Sequence, residues 1–68
     1  MDYELKRWAK RDGCVVEWGN IVGPYIGQEF RETFATEDEA KEREKQALAC
    51  EGISVDRLPV PLKMEVLH

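Results

Sequence analysis

Lys6, Trp8 and Lys10 stand at alternate positions near the start of a 68-residue chain. Side chains two apart share a face of a strand, so this spacing sets an indole between two ammonium groups. An exposed ring of that kind anchors protein interfaces, and cations beside a ring meet phosphates while the ring stacks on a base. The competing reading has a helix covering Trp8, since tryptophan is usually well buried. Tyr25 and Ile26 are a second candidate contact, at the tip of the Gly23-Pro24-Tyr25-Ile26-Gly27 loop. An apolar loop tip either folds under as a plug or projects as a binding knob. Trp18 shares its parity with Cys14 and Val16 and is read chiefly as core. A third surface is acidic: Glu37, Asp38, Glu42 and Glu44 lie on a helix with Lys41, Arg43 and Lys45. Glu37–Lys41 and Glu39–Arg43 have the i,i+4 spacing of exposed ion pairs, and the expectation is a solvated face.

Catalytic constellations are missing from the sequence. The single histidine is the last residue, His68, and the single serine is Ser54. Cys14 and Cys50 are far apart and form no CxxC pair, so zinc-type spacing is absent. No glycine-rich loop leads into a Lys-Ser/Thr pair that would cradle phosphate. The expectation is therefore a protein that is not an enzyme and uses no cofactor or metal.

The elements that must position these residues follow from periodicity. Tyr3–Lys10 alternates, with Tyr3, Leu5 and Ala9 on one face and Glu4, Lys6, Trp8 and Lys10 on the other. Arg11-Asp12-Gly13 reads as a tight turn, and Cys14–Ile21 as the return strand. Gln28–Phe34 is a third strand, with Phe30 and Phe34 on one face. Thr36-Glu37-Asp38-Glu39 is a capping box. It opens a helix that runs to about Cys50 and stops at Gly52, with a thin inward stripe of Ala40, Ala47 and Leu48 that Cys50 could extend. Leu58, Val60, Leu62, Met64 and Val66 alternate with other residues in register, which predicts a closing strand facing the core; Pro59 and Pro61 put its first half at an edge. The order is β-β-β-α-β: one α+β domain over residues 1–68, an antiparallel sheet with one helix packed on it.

Size and charge narrow the partners. A domain this short buries only about 60% of the surface its unfolded chain exposes, which leaves little room for a deep pocket. Net charge is −4, with residues 1–13 carrying +1 and residues 29–51 carrying −4. Phosphate backbones repel such a surface, apart from a local basic patch. No apolar run spans a bilayer and the N-terminus has no apolar signal core, so the expected setting is cytoplasmic without membrane contact. The two cysteines fit that compartment as thiols, although the sequence alone leaves a disulfide open.

Glu17-Trp18-Gly19-Asn20-Ile21, a loop ending Gly27-Gln28, then Phe34, then Glu39-Ala40 in the first helical turn resemble a WGR domain over about residues 14–52. The resemblance implies a compact antiparallel sheet with one helix. It also implies contact with DNA ends or neighbouring domains, as in poly(ADP-ribose) polymerases. Asn20 replaces the family's arginine and removes the cation tied to nucleic acid. The functional expectation is a WGR-like binder of protein more than of nucleic acid, through Lys6, Trp8, Lys10, Trp18, Asn20, Tyr25 and Ile26. Alternatives are an inhibitor from a phage or mobile element, of the anti-CRISPR type, whose acidic helix mimics phosphate, and a DNA-binding WGR-like module. The C-terminal strand could also pair with a second copy.

Overall fold

The computed structural model describes residues 4–23, 25–50 and 58–68. Tyr3, Pro24, Gly52 and Ser54 lie outside them. Strands β1 (Lys6–Asp12), β2 (Val15–Val22), β3 (Glu29–Thr33) and β4 (Lys63–Val66) form one antiparallel sheet in the order β1-β2-β3-β4, and helix α1 (Glu37–Leu48) intervenes between β3 and β4. The fold is α+β with the order β-β-β-α-β. No helix among the described residues is long and apolar enough to cross a membrane.

The first hairpin turns one step later than the sequence suggests. Asp12 pairs with Val15, so Gly13 and Cys14 form the two-residue loop. Gly13 has φ +62° and Cys14 keeps a negative φ, the pattern of a type II′ turn, which requires glycine at its first central position.

Thr36 caps α1. Its Oγ1 accepts from the Glu39 backbone N–H at 3.2 Å and donates to Glu39 Oε1 at 3.2 Å. Glu37, Asp38 and Glu39 complement the positive end of the helix dipole. The helix ends earlier than expected, at Leu48, with Ala49 as C-cap. Cys50 is in the left-handed conformation, at φ 58°. Its thiol donates to the Leu5 carbonyl at 3.0 Å. That bond offsets part of the roughly 1–2 kcal/mol that a side chain costs there. Both cysteines are free.

Small residues bring α1 close to the sheet. Ala40 and Ala47 are fully buried and meet Val16, Trp18 and Phe34. The helix packs over β1 and β2. Between the two alanines the inward face carries Arg43, which is fully buried and not on the solvated side. Its guanidinium faces Glu32, 2% exposed, with Nε 3.3 Å from Oε1. It also donates to Gln46 Oε1 at 3.2 Å and to the Pro59 carbonyl, and lies 5.5 Å from the Phe34 ring centroid. Trp18 Nε1–H donates to the same Glu32 oxygen. Gln46 Nε2–H reaches the Leu58 carbonyl at 2.8 Å. One acid, one base, an indole and an amide thus tie β2, β3, α1 and the segment entering β4 together.

Leu48 is exposed, contrary to its expected place in the stripe. A larger correction concerns the closing strand. It is four residues long, and Leu58, Val60, Leu62, Met64 and Val66 are 74, 47, 74, 41 and 66% exposed. Only Met64 and Val66 of the five fall within the strand, and the helix covers β1 and β2 and does not extend over β4.

Removing one partner of a buried ion pair leaves the other charge uncompensated, at about 3–5 kcal/mol. Arg43→Met should therefore lose about that much in urea unfolding, and Glu32→Gln combined with Arg43→Met should recover most of it. Equal losses in the single and double variants would show that the charge pair is not what the core depends on.

Candidate functional site

Trp8 lies on the face opposite α1, so the helix does not cover it. It is half-buried because its ring lies across Gly19, its partner on β2. A Cβ added at Gly19 would fall 2.6 Å from Trp8 Nε1, 2.9 Å from Glu29 Cγ and 3.0 Å from the Gln28 carbonyl oxygen. Only glycine leaves that space. Lys6 is exposed and is set off from Arg7 and Trp8 by a register irregularity in the β1–β2 pairing, and Lys10 is engaged, with its ammonium 3.2 Å from Glu17.

Glu17 sits within a row of charges across this face. Lys10, Glu17, Arg31 and Glu65 are successive cross-strand partners on β1 to β4. Arg31 Nη2 lies 3.0 Å from Glu17 and its Nη1 3.5 Å from Glu65, while Lys63 lies 3.3 Å from Glu65. Hydrogen bonds from Lys10 and then Arg31 hold the Glu17 carboxyl below its ordinary range.

Trp18 and Asn20 are each 5% exposed, so neither offers a free contact. Both serve Arg7. Asn20 Oδ1 accepts from Arg7 Nε–H at 2.8 Å, and the Arg7 guanidinium lies 5.1 Å from the Trp18 ring centroid. Trp18 in turn stacks at a tilt on Phe30, with centroids 4.7 Å apart. Burial lowers the Arg7 pKa from its ordinary value, and Cys50 opposes that shift. The sheet therefore brings an arginine against the tryptophan from β1, where Asn20 supplies none on β2. No protein-family model, curated protein or solved structure matches the chain.

Tyr25 and Ile26 project, at 58 and 67% exposure. The turn holding them is closed by Ile26 N–H to Gly23, Gly27 N–H to Asn20 and Gln28 N–H to Tyr25. Glu37, Asp38 and Glu42 are exposed, whereas Glu44 is half-buried, 3.7 Å from Arg11. Asp38, Glu39, Glu42 and Gln46 form one wall of a shallow cleft of about 490 Å³, faced by Leu58 and Pro59. Among the described residues no group of histidine, cysteine and carboxylate side chains could hold a metal.

The candidates thus fall on three separate surfaces: the face of Trp8 and Lys10, the Tyr25–Ile26 tip, and the acidic cleft with the apolar row beside it. That row and the roles of Arg7, Glu32 and Arg43 escape the sequence reading. Parity was the available signal, since Arg7 lies in register with Leu5 and Ala9, and Glu32 with Phe30 and Phe34.

Gly19→Ala should destabilise by about 1–3 kcal/mol through overpacking and change the Trp8 fluorescence. Adding Trp8→Ala should relieve part of that loss, and not all, because the Gln28 carbonyl stays; no relief would mean the ring does not occupy the space. The depressed Glu17 pKa gives stability that is present above the unfolded carboxylate range and is lost as pH falls through the lower folded value. Urea midpoints taken between about pH 7 and pH 3 should fall more steeply for the native chain than for Glu17→Gln.

Proposed function

We propose that this protein is a non-catalytic, WGR-like docking module that binds another protein through the apolar row and the acidic cleft beside it. The observation that carries this reading is the exposure of Leu58, Val60, Leu62, Met64 and Val66 within nine consecutive residues. Soluble monomers seldom leave apolar side chains grouped in this way unless they meet a partner. The cleft adds its chemistry: Asp38, Glu39 and Glu42 face Leu58 and Pro59. A segment with apolar side chains flanked by lysine or arginine would match both walls. The antiparallel sheet with one helix, and the Arg7 guanidinium against Trp18, support the WGR-like part of the reading.

Protein is favoured over nucleic acid because five of the basic side chains are already engaged, while Lys6, Lys41 and Lys45 are exposed. Lys10, Arg11, Arg31, Arg43 and Lys63 each lie beside a carboxylate, so a phosphate would have to displace an existing partner. Free Cys14 and Cys50 suit a cytoplasmic setting. A second reading, an inhibitor of the mobile-element type, draws on the exposure of Glu37, Asp38 and Glu42 along the helix as a phosphate mimic.

A photoreactive residue placed at Leu58 or Leu62 in the producing cell should give one discrete adduct that the same residue at Lys41 does not. Glu42→Lys should weaken that adduct. Identical adducts from all three positions would sink the docking surface. Loss of partner binding on charge reversal at Glu37 and Glu42, with no adduct from Leu58 or Leu62, would favour the mimic.

A further inference from the structure

The apolar row ends on a strand whose outer side has no neighbour among the described residues. β4 is an edge of the sheet, paired with β3 alone. Leu67 N–H bonds Glu29, and Arg31 faces Glu65 two residues on. Antiparallel pairs alternate in which backbone groups they engage. Lys63 and Glu65 therefore turn their backbone groups toward β3, and Met64 and Val66 turn theirs outward. Exposed edges of this kind template the addition of another strand.

We propose that the strand added is β4 of a second copy, antiparallel, with the two-fold axis at Met64. This rests on the docking reading above and names one occupant of that surface. The register follows from the side chains. With the axis at Met64, Met64 meets Met64 on the face that carries α1, and Val66 comes opposite Leu62, which precedes β4 and keeps its own N–H on the Thr33 carbonyl at 2.8 Å. On the other face Lys63 comes opposite Glu65 of the partner, twice by symmetry. Moving the axis one residue either way sets Lys63 opposite Lys63, or Glu65 opposite Glu65, and like charges directly opposite are destabilising. A self-complementary edge is what a two-fold interface requires.

The surroundings permit it. Lys63 and Glu65 are 69 and 39% exposed, Met64 41% and Val66 66%. The helix packs over β1 and β2, away from this edge. The charged row Lys10–Glu17–Arg31–Glu65 would run on into Lys63 of the partner, giving one eight-stranded sheet. Four residues per edge bury less than the roughly 1,200 Å² of a standard interface, so the dimer should form in the micromolar range.

Sedimentation equilibrium of the full chain between about 5 and 500 µM should show dimer growing with concentration, as a micromolar interface requires. Amide exchange at Met64 and Val66 should slow at the high end and quicken on dilution. Lys63→Glu, which sets glutamate against glutamate, should raise the dissociation constant at least tenfold with unchanged circular dichroism. Combining Lys63→Glu with Glu65→Lys should restore the dimer. A native chain that stays monomeric throughout overturns the proposal. So does a dimer indifferent to Lys63→Glu, or Met64 and Val66 amides that exchange alike at all concentrations. A monomer that still gives a discrete adduct to a different protein from Leu58 or Leu62 leaves the docking surface standing with another occupant. A dimer without such adducts removes the outside partner instead.

Discussion

The fold depends on a charge pair placed where a small protein would ordinarily put leucine. Glu32 and Arg43 are withdrawn from water, and each is held by further polar groups: the Trp18 indole on the acid, Gln46 and the Pro59 carbonyl on the base. Desolvating two ions is expensive, and a buried pair of this kind is weak evidence for high stability. What it confers is uniqueness. A helix that met an apolar sheet only through alanines could slide at little cost, but a guanidinium that must meet one carboxylate allows one position. The segment leading to β4 is drawn into the same network through two carbonyl oxygens, so the last strand inherits its place from the helix.

Much of the architecture is legible in the sequence. The element order, the capping box at Thr36 and the alternating strands all appear where periodicity puts them, with ends shifted by a few residues. The polar core is the part that binary patterning misses. Glu32 stands at core parity between Phe30 and Phe34, and Arg43 stands at the inward spacing between Ala40 and Ala47. Read singly, each looks like a surface charge. Together they are complementary, and only the register of β3 against α1 shows that they meet. Arg7 and Asn20 repeat the lesson at the other end of the sheet: the asparagine that looks like a lost cation orients a cation from the neighbouring strand.

The closing strand shows the opposite error. Its alternation identifies one apolar face, of which Met64 and Val66 lie within β4. Alternation records which side chains share a side of a strand and is silent on whether anything covers that side. Twelve helical residues placed over β1 and β2 leave the β4 end of the same face open. The apolar row is thereby turned from core into surface, and the reading of function turns with it.

The two tryptophans are divided between the faces of the sheet. Trp18 is sealed in the core against Glu32 and Phe30, and Trp8 lies half-open across Gly19. Each is therefore a local optical reporter: one senses the helix side, the other the charged side. Few proteins of this length can be asked, without any label, whether their two surfaces come apart in a single event or in turn. Here a single-tryptophan variant of each kind answers for one side of the sheet.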